Sequence, residues 1–379
     1  MKFTIKRNIF IQKLNDVQRA ISSKTTIPIL TGLKLDVTSD QIILTGSDAD
    51  ISIETVLDSK NEDNGLSIED PGKIVLPAHF FSDIVKKLPE ESMTLEITEG
   101  FQTKISSGAA EFTINGLDAN NYPHLPELDG NDQIQLSGNI FKQLISQTVI
   151  AVSSQESRPI LTGVHFSIDG DQFMAVATDS HRLSQRKITL PQANSGKYDV
   201  IIPGKSLIEL SRMIGEENPD VIMRISENQV LFTLGDTAFY SRLLEGNYPD
   251  TSRLIPKEAT TKLEFNAPAL LAAIERASLL SHESRNNVVK LTIATENNQV
   301  VISGNSPDVG NVEEQLDAKA VEGEDLEISF NPDYMKDALR SFGQTEILVS
   351  FTSALRPFTL VPTEDKENFI QLITPVRTF

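Results

Sequence analysis

The 379-residue sequence predicts an α+β protein made of three tandem copies of one domain. Three observations lead there: the chain repeats itself at long range, each copy carries two amphipathic helix patterns, and alternating apolar runs behind turn signals fill the intervals.

Displacing the sequence by 131 residues aligns residues 3–50 with 134–181 without a gap, and 15 of the 48 positions are identical. Unrelated segments of average composition would share roughly three. Asn8-Ile9-Phe10 returns as Asn139-Ile140-Phe141, Pro28-Ile29-Leu30-Thr31-Gly32 as Pro159-Ile160-Leu161-Thr162-Gly163, and Asp48 as Asp179. A displacement of 126 matches Leu76-Pro77 with Ile202-Pro203 and Asn121-Tyr122-Pro123 with Asn247-Tyr248-Pro249, so the later half of the unit is duplicated too. A more diverged third copy begins near Lys262. There Leu270, Ile274 and Ala277 keep the spacing of Phe10, Leu14 and Val17, and Val300-Val301-Ile302-Ser303-Gly304 echoes Ile42-Ile43-Leu44-Thr45-Gly46.

The helices follow from apolar stripes at helical spacing. Copy one supplies Phe10, Leu14, Val17 and Ile21, then Phe81, Ile84, Val85 and Leu88. Copy two supplies Phe141, Ile145, Thr148 and Val152, then Leu207, Leu210 and Ile214. Copy three supplies Leu270, Ile274 and Ala277, then Met335, Leu339 and Phe342. Six helices are predicted, over 8–21, 78–88, 139–152, 204–214, 267–280 and 332–342.

Strands are predicted at Gln41 to Ser47, Gln172 to Ala177 and Gln299 to Ser303, each behind a turn signal: Ser39-Asp40, Asp169-Gly170 and Asn297-Asn298. Each domain then reads as two β-α-β-β-β halves, with antiparallel strands carrying two helices on one face. Pro and acidic residues cluster at Tyr122 to Asp132 and Pro249 to Glu258, which sets the domains at 1–127, 128–254 and 255–379.

Composition narrows the function. No run reaches the roughly 18 apolar residues of a membrane span, and the start MKFTIKRNIF lacks the apolar core of a signal peptide, so a cytoplasmic protein with no membrane contact is expected. The absence of cysteine excludes disulfides, a thiolate nucleophile and Cys-ligated metal. A formal charge of -19 repels nucleic acid at long range, and only an uneven distribution of charge can answer that objection.

The distribution is uneven. The first four predicted helices each sum to +1 and the last two to zero, which leaves -23 for strands, loops and tails. A domain of this length is equivalent to a sphere roughly 36 Å across. Three such spheres in a ring leave a hole of about 5 Å and six leave about 36 Å, against a duplex width of about 20 Å. One chain cannot enclose a duplex, whereas two chains can if domain 1 of each meets domain 3 of the other, the two contacts being made equivalent by two-fold symmetry. With helices inside and sheets outside, a weakly positive lumen would sit within an acidic shell.

At the repeats, at Thr178-Asp179-Ser180-His181-Arg182-Leu183, at Glu245-Gly246-Asn247-Tyr248-Pro249-Asp250 and at the tail Thr374-Pro375-Val376-Arg377, the sequence resembles the bacterial β sliding clamp of DNA polymerase III. The match covers the whole chain. The resemblance implies three tandem DNA-clamp domains, with antiparallel sheets outside and two helices per domain lining the pore of a ring-shaped head-to-tail dimer. It implies a non-catalytic processivity factor without a cofactor, which slides on double-stranded DNA without sequence specificity. Its implied partners are the replicative polymerase, an ATP-driven clamp loader and other proteins with clamp-binding motifs, including repair polymerases, mismatch repair proteins and ligase.

The resemblance also assigns residues. A partner-peptide pocket between domains 2 and 3 falls on Leu161, Thr178, Ser180, His181, Arg182, Leu183, Pro249, Arg253, Leu254, Leu372, Thr374, Pro375, Val376 and Arg377. Its leucines and Val376 suit apolar anchors, and its His and Arg side chains suit the polar groups around them. Thr374 departs from the aliphatic residue or Met usual there. DNA contacts fall on Lys24, His79, Lys86, Gln155, Arg158, Lys205 and Arg212, mostly donors to phosphate. The ring joint falls on Phe112 and Ile114 of domain 1 against Leu279 and Leu280 of domain 3.

Enzymatic signals are weak beside this. Pro203-Gly204-Lys205-Ser206 resembles the end of a phosphate loop, but position 199, where the first Gly belongs, is Asp. His79, His124, His165, His181 and His282 show no metal-ligand spacing, so no metal site is expected. Asp179, Ser180 and His181 are triad residue types, yet neighbours on an extended segment point to opposite faces. A hydrolase using Asp179 and His181, and a repeat scaffold that binds only proteins, remain the rival classes. Both predict indifference to DNA topology.

Overall fold

The computed structural model describes residues 1–125, 128, 132–215, 220–283 and 286–378. The first predicted boundary, at residue 127, falls outside the described residues.

Copy one comprises β1 (Lys2–Lys6), α1 (Arg7–Gln18), β2 (Gly32–Val37), β3 (Gln41–Ser47), β4 (Ile51–Asp58), β5 (Ser67–Asp70), β6 (Gly72–Pro77), α2 (Ala78–Lys87), β7 (Ser92–Ile97), β8 (Gln102–Ser107) and β9 (Ala110–Asn115). Copy two comprises β10 (Ile134–Leu136), α3 (Gly138–Thr148), β11 (Gly163–Asp169), β12 (Gln172–Thr178), β13 (Arg182–Thr189), β14 (Lys197–Pro203), α4 (Gly204–Met213), β15 (Val221–Ile225), β16 (Gln229–Leu234) and β17 (Thr237–Arg242). Copy three comprises β18 (Thr261–Asn266), α5 (Ala267–Ser281), β19 (Val289–Ala294), β20 (Gln299–Ser306), β21 (Gly310–Leu316), β22 (Ala320–Gly323), β23 (Leu326–Phe330), α6 (Pro332–Phe342), β24 (Glu346–Phe351), β25 (Phe358–Pro362) and β26 (Phe369–Ile373). The expected six helices and doubled β-α-β-β-β order are present, with β5 and β22 as extra strands in copies one and three.

The described chain forms two compact units, Met1–Asn139 with Glu209–Leu243, and Ile140–Ile208 with Leu244–Phe379. The first unit contains a sheet ordered β5-β1-β7-β8-β9 and one ordered β10-β15-β16-β17-β4-β3-β2-β6. The second contains β14-β11-β12-β13-β26-β25-β24-β18-β22 and β21-β20-β19-β23. Copy two is thus shared between the units: its last strand β17 pairs antiparallel with β4 of copy one, and its β13 pairs with β26, the last strand of copy three. The same joint occurs twice, the strand after the second hairpin turn of one copy against the final strand of the next. At the chain's two ends the corresponding strands, β21 and β9, are edges among the described residues.

Most residues of the predicted stripes lie in the core, while Ile21, Ile84 and Val152 are only partly buried. Phe10, Leu14 and Val17 are buried, and Phe10 meets Phe3 and Phe81 with ring centroids 6.0 and 5.8 Å apart. Its counterpart Phe141 packs edge-on against Phe166 at 6.3 Å. Burying each such ring contributes about 1.5–3 kcal/mol. The repeated Pro-Ile-Leu-Thr-Gly segment forms a 3-10 turn in both copies, closed by Thr31 Oγ1 donating to the Pro28 carbonyl and Thr162 Oγ1 to that of Pro159. The closing Gly32 crosses so near β6 that a Cβ there would lie 2.4 Å from Val75 Cγ1.

Two helices stop short of the predicted ends. The α1 helix ends at Gln18, where N–H groups of Arg19 and Ala20 turn back three residues to Asp16 and Val17, so Ile21 lies beyond it. The α3 helix ends at Thr148, whose hydroxyl donates to the Leu144 carbonyl, and the β-branched run Thr148-Val149-Ile150 continues as a 3-10 turn before Val152.

In copy three the helix cations are neutralised locally: Arg276 pairs with Glu314, Arg340 with Glu275, and Lys336 with Asp333. Burial opposes ionisation of Asp333, but hydrogen bonds from Lys336, His282 and Asn287 outweigh it and hold the carboxyl at about 2, below its usual 3.8. Because the folded value is depressed, this stabilisation is complete above the unfolded value and lost as pH falls through the folded one. Asp333→Asn should therefore lower the melting temperature at neutral pH, and thermal melts should show the gap closing between pH 3.8 and about 2. No helix among the described residues is long and apolar enough to cross a membrane.

Candidate functional site

The segment Thr178 to Leu183 is the tight corner between β12 and β13. Asp179 Oδ1 accepts from the N–H groups of His181 and Arg182 at 2.9 and 3.0 Å, which turns the chain and leaves Ser180 at φ 79°. The corner of copy one is built the same way: Asp48 Oδ1 accepts from Asp50 and Ile51, with Ala49 at φ 78°. The Asp common to both copies is therefore explained by the turn. Its carboxylate serves backbone N–H groups and Arg182 Nε, while the His181 ring stacks 6.3 Å from that of Tyr334, so no Asp179–imidazole relay forms.

Beneath the corner, Val176, Leu183 and Leu372 form a small buried cluster against Met174, Tyr248 and Ile255. Leu183 stands opposite Leu372 and Arg182 opposite Ile373 in the β13–β26 ladder. Tyr248 closes the cluster: its ring stacks on His165 at 4.9 Å, its hydroxyl accepts from the Thr178 N–H at 2.9 Å, and burial raises its pKa above the ordinary value. Tyr248→Phe leaves a buried N–H without its acceptor and should cost about 1–3 kcal/mol in denaturant melts.

The C-terminal segment runs on from β26. Thr374 N–H donates to the His181 carbonyl at 2.9 Å and Val376 N–H to the Ser329 carbonyl at 2.8 Å, leaving Pro375 and Val376 half-buried and Arg377 exposed. Leu161 is buried, and Arg158 beside it reaches Ser180 Oγ at 2.9 Å. Pro249, Arg253 and Leu254 are exposed on the linker that follows Tyr248.

Arg182 is committed inside the protein. It pairs with Asp179 at 3.1 Å and Asp337 at 2.6 Å, lies 4.6 Å over the Tyr334 ring, and has a side chain only 16% exposed. The site thus includes Tyr248, which the sequence marked as part of a repeated motif without assigning it to the pocket, and Tyr334 and Asp337, which sequence reasoning did not single out. Tyr334 and Asp337 are three residues apart on α6, so they share a face, but nothing local marks that face as meeting Arg182.

The residues assigned to DNA are exposed in both units. Lys24 follows α1, His79 and Lys86 lie on α2, and Arg212 near the end of α4 pairs with Glu209 at 2.5 Å. In the second unit Gln155 and Arg158 lie in the loop before β11, and Lys205 in the first turn of α4. Pro203-Gly204 is the junction of β14 with α4, matching Pro77-Ala78 between β6 and α2. Phe112 and Ile114 lie on the edge strand β9, and Leu279 and Leu280 at the end of α5.

Residues 1–126, 135–250 and 252–377 match the families described as the N-terminal, central and C-terminal domains of the DNA polymerase III beta subunit. The beta sliding clamp of Bacillus subtilis (strain 168) is 49% identical over 380 residues, covering 100% of both chains. The crystal structure of the DNA polymerase sliding clamp from Bacillus subtilis superposes with a TM-score of 0.97 at 49% identity and 100% coverage of both chains. A sliding clamp from Pseudomonas aeruginosa bound to griselimycin superposes at 0.92 with 25% identity, again over 100% of both chains. Three clamp domains in tandem and a full-length match near half identity place this chain in the DNA polymerase III β-subunit family, the non-catalytic β sliding clamps that serve the polymerase as processivity factors.

Proposed function

We propose that two copies of this chain close head to tail around duplex DNA and hold the polymerase to it. Each chain contributes domains at 1–127, 128–254 and 255–379. The repeated strand joint carries this reading. The pairings β4 with β17 and β13 with β26 leave β21 and β9 as the two strands of the same kinds that, among the described residues, pair on one side only, with β20 and β8. A second copy related by a two-fold axis supplies both, and backbone hydrogen bonds complete two further joints of the existing type. Phe112 and Leu279, 41% and 69% exposed in the single chain, are large apolar side chains at those two ends.

In this ring the helices face the duplex. Lys24, His79, Lys86, Gln155, Arg158, Lys205 and Arg212 contact phosphate without reading sequence, and copy three adds little charge because its cations are already paired. The corner at 178–183, the linker at 249–254 and the segment at 372–377 form a pocket for a short partner peptide. Its weak single contacts suffice because partners on the same DNA have a high effective concentration. The polymerase, an ATP-driven loader, repair polymerases, mismatch repair proteins and ligase are the partners of this reading, and the cytoplasm its compartment. Griselimycin bound to the Pseudomonas aeruginosa relative supports a ligand-accepting site on this fold.

The test is topological. Protein loaded on nicked circular DNA should stay bound at high salt and be released when the circle is linearised, because encirclement does not depend on screened charge contacts. Equal loss from circle and linear form would rule out encirclement and favour a protein-only scaffold.

A further inference from the structure

Arg182, Ile373 and Phe358 form one row across β13, β26 and β25. The residues next along each strand at that end of the sheet are His181, Thr374 and Pro357, the first two already assigned to the peptide pocket. Beside Pro357 opens a groove of about 340 Å³, walled by Arg253, Leu254, Lys257, Glu258 and Arg356 as well.

Its chemistry differs from that of the chain around it. The wall holds three cations and one carboxylate on a protein whose net charge is -19. Arg253 reaches Asp250 at 3.5 Å, whereas Lys257 and Arg356 form no ion pair among the described residues. Leu254 on the same wall is 49% exposed, and Leu355, which precedes Arg356 in the loop between β24 and β25, is 60% exposed, so aliphatic surface and unpaired cations lie together.

We infer that this groove is a second subsite, continuous with the pocket, which takes an acidic flank of the partner segment: Asp or Glu side chains beside the apolar anchors. The inference rests on the pocket reading above and adds the charge of the ligand. An acidic protein repels an acidic partner at long range, and two free cations at the docking point offset that locally and speed encounter. A nucleic-acid strand suits the groove less well, because no aromatic ring lines it for a base to stack on.

The test uses the full-length protein and three fluorescein-labelled synthetic peptides that share a Leu-Phe anchor pair and differ in a flank of three Asp, three Ser or three Lys. The Asp-flanked peptide should bind about fivefold tighter than the Ser-flanked one at low salt, with the preference fading below about twofold near 0.5 M salt. In the double variant Lys257→Ser/Arg356→Ser the preference should vanish, while affinity for the Ser-flanked peptide and the melting temperature stay unchanged. A preference that survives in the variant overturns the subsite, as does equal binding of all three peptides by the parent protein. If no peptide binds at all, the pocket reading fails and the subsite with it. If a labelled oligo-dT binds the parent and loses affinity in the variant while the peptides do not, the groove serves nucleic acid and the proposal is overturned.

Discussion

A chain lacking residues 375–379 should no longer stimulate the replicative polymerase, yet should sediment as a dimer like the full-length protein. The physical reason is the way the segment is held. Beyond β26 it is tied by Thr374 N–H to the His181 carbonyl, by Val376 N–H to the Ser329 carbonyl, and by a hydroxyl contact between Thr378 and Ser329 at 3.2 Å. The cut preserves Thr374 and its bond to the corner, so the β13–β26 ladder and the buried cluster of Val176, Leu183 and Leu372 keep their partners. What disappears is the half-buried wall of Pro375 and Val376, and with it one side of the pocket. Losing an apolar anchor contact and the water exclusion around it costs about 2–3 kcal/mol, or roughly 30- to 150-fold in peptide affinity. Residue 379 lies outside the described residues and is removed with the rest. Undiminished stimulation by the shortened chain would mean that partners dock elsewhere.

Leu279→Glu should separate the ring into single chains. In the isolated chain Leu279 is 69% exposed at the end of α5, so the substitution should leave the melting temperature of the monomer within a degree or two. In the proposed joint the same position faces Phe112 and Ile114 of a second copy, and a carboxylate buried there without a partner costs several kcal/mol. Two such joints close each ring, so dimer affinity should fall more than about 100-fold, and sedimentation velocity at micromolar concentration should report monomers. Retention on nicked circular DNA should fall with it. A variant that remains dimeric would place the joint away from α5. Phe112→Ala tests the other side, with a smaller effect because it removes apolar contact and buries no charge.

How far the sequence could be read depended on the range of the interaction concerned. The α5 stripe was legible because Leu270, Ile274 and Ala277 face one side of a helix whatever surrounds it, and all three are buried as expected. The corner at Asp179 was visible as a repeat of Asp48, although its purpose, capping two N–H groups, is set by the folded turn. The end of α3 was misread because Thr148 fits the apolar spacing, while its hydroxyl competes for a helix carbonyl. Arg182 was read as a donor to a partner peptide, and the structure shows its guanidinium held by Asp179, Asp337 and Tyr334.

By itself the sequence determined that there are three copies, that each is built from two β-α-β-β-β halves, and that positive charge gathers on the helices. These properties depend on residues within a few positions of one another, or on likeness between copies, and both are written along the chain. Only the tertiary structure decided which strands join one copy to the next, that copy two is divided between two units, and which carboxylates hold Arg182. Strand edges pair through backbone N–H and C=O groups that nearly every residue carries, so the choice of partner strand rests on the packing of distant side chains and leaves little trace in the local sequence.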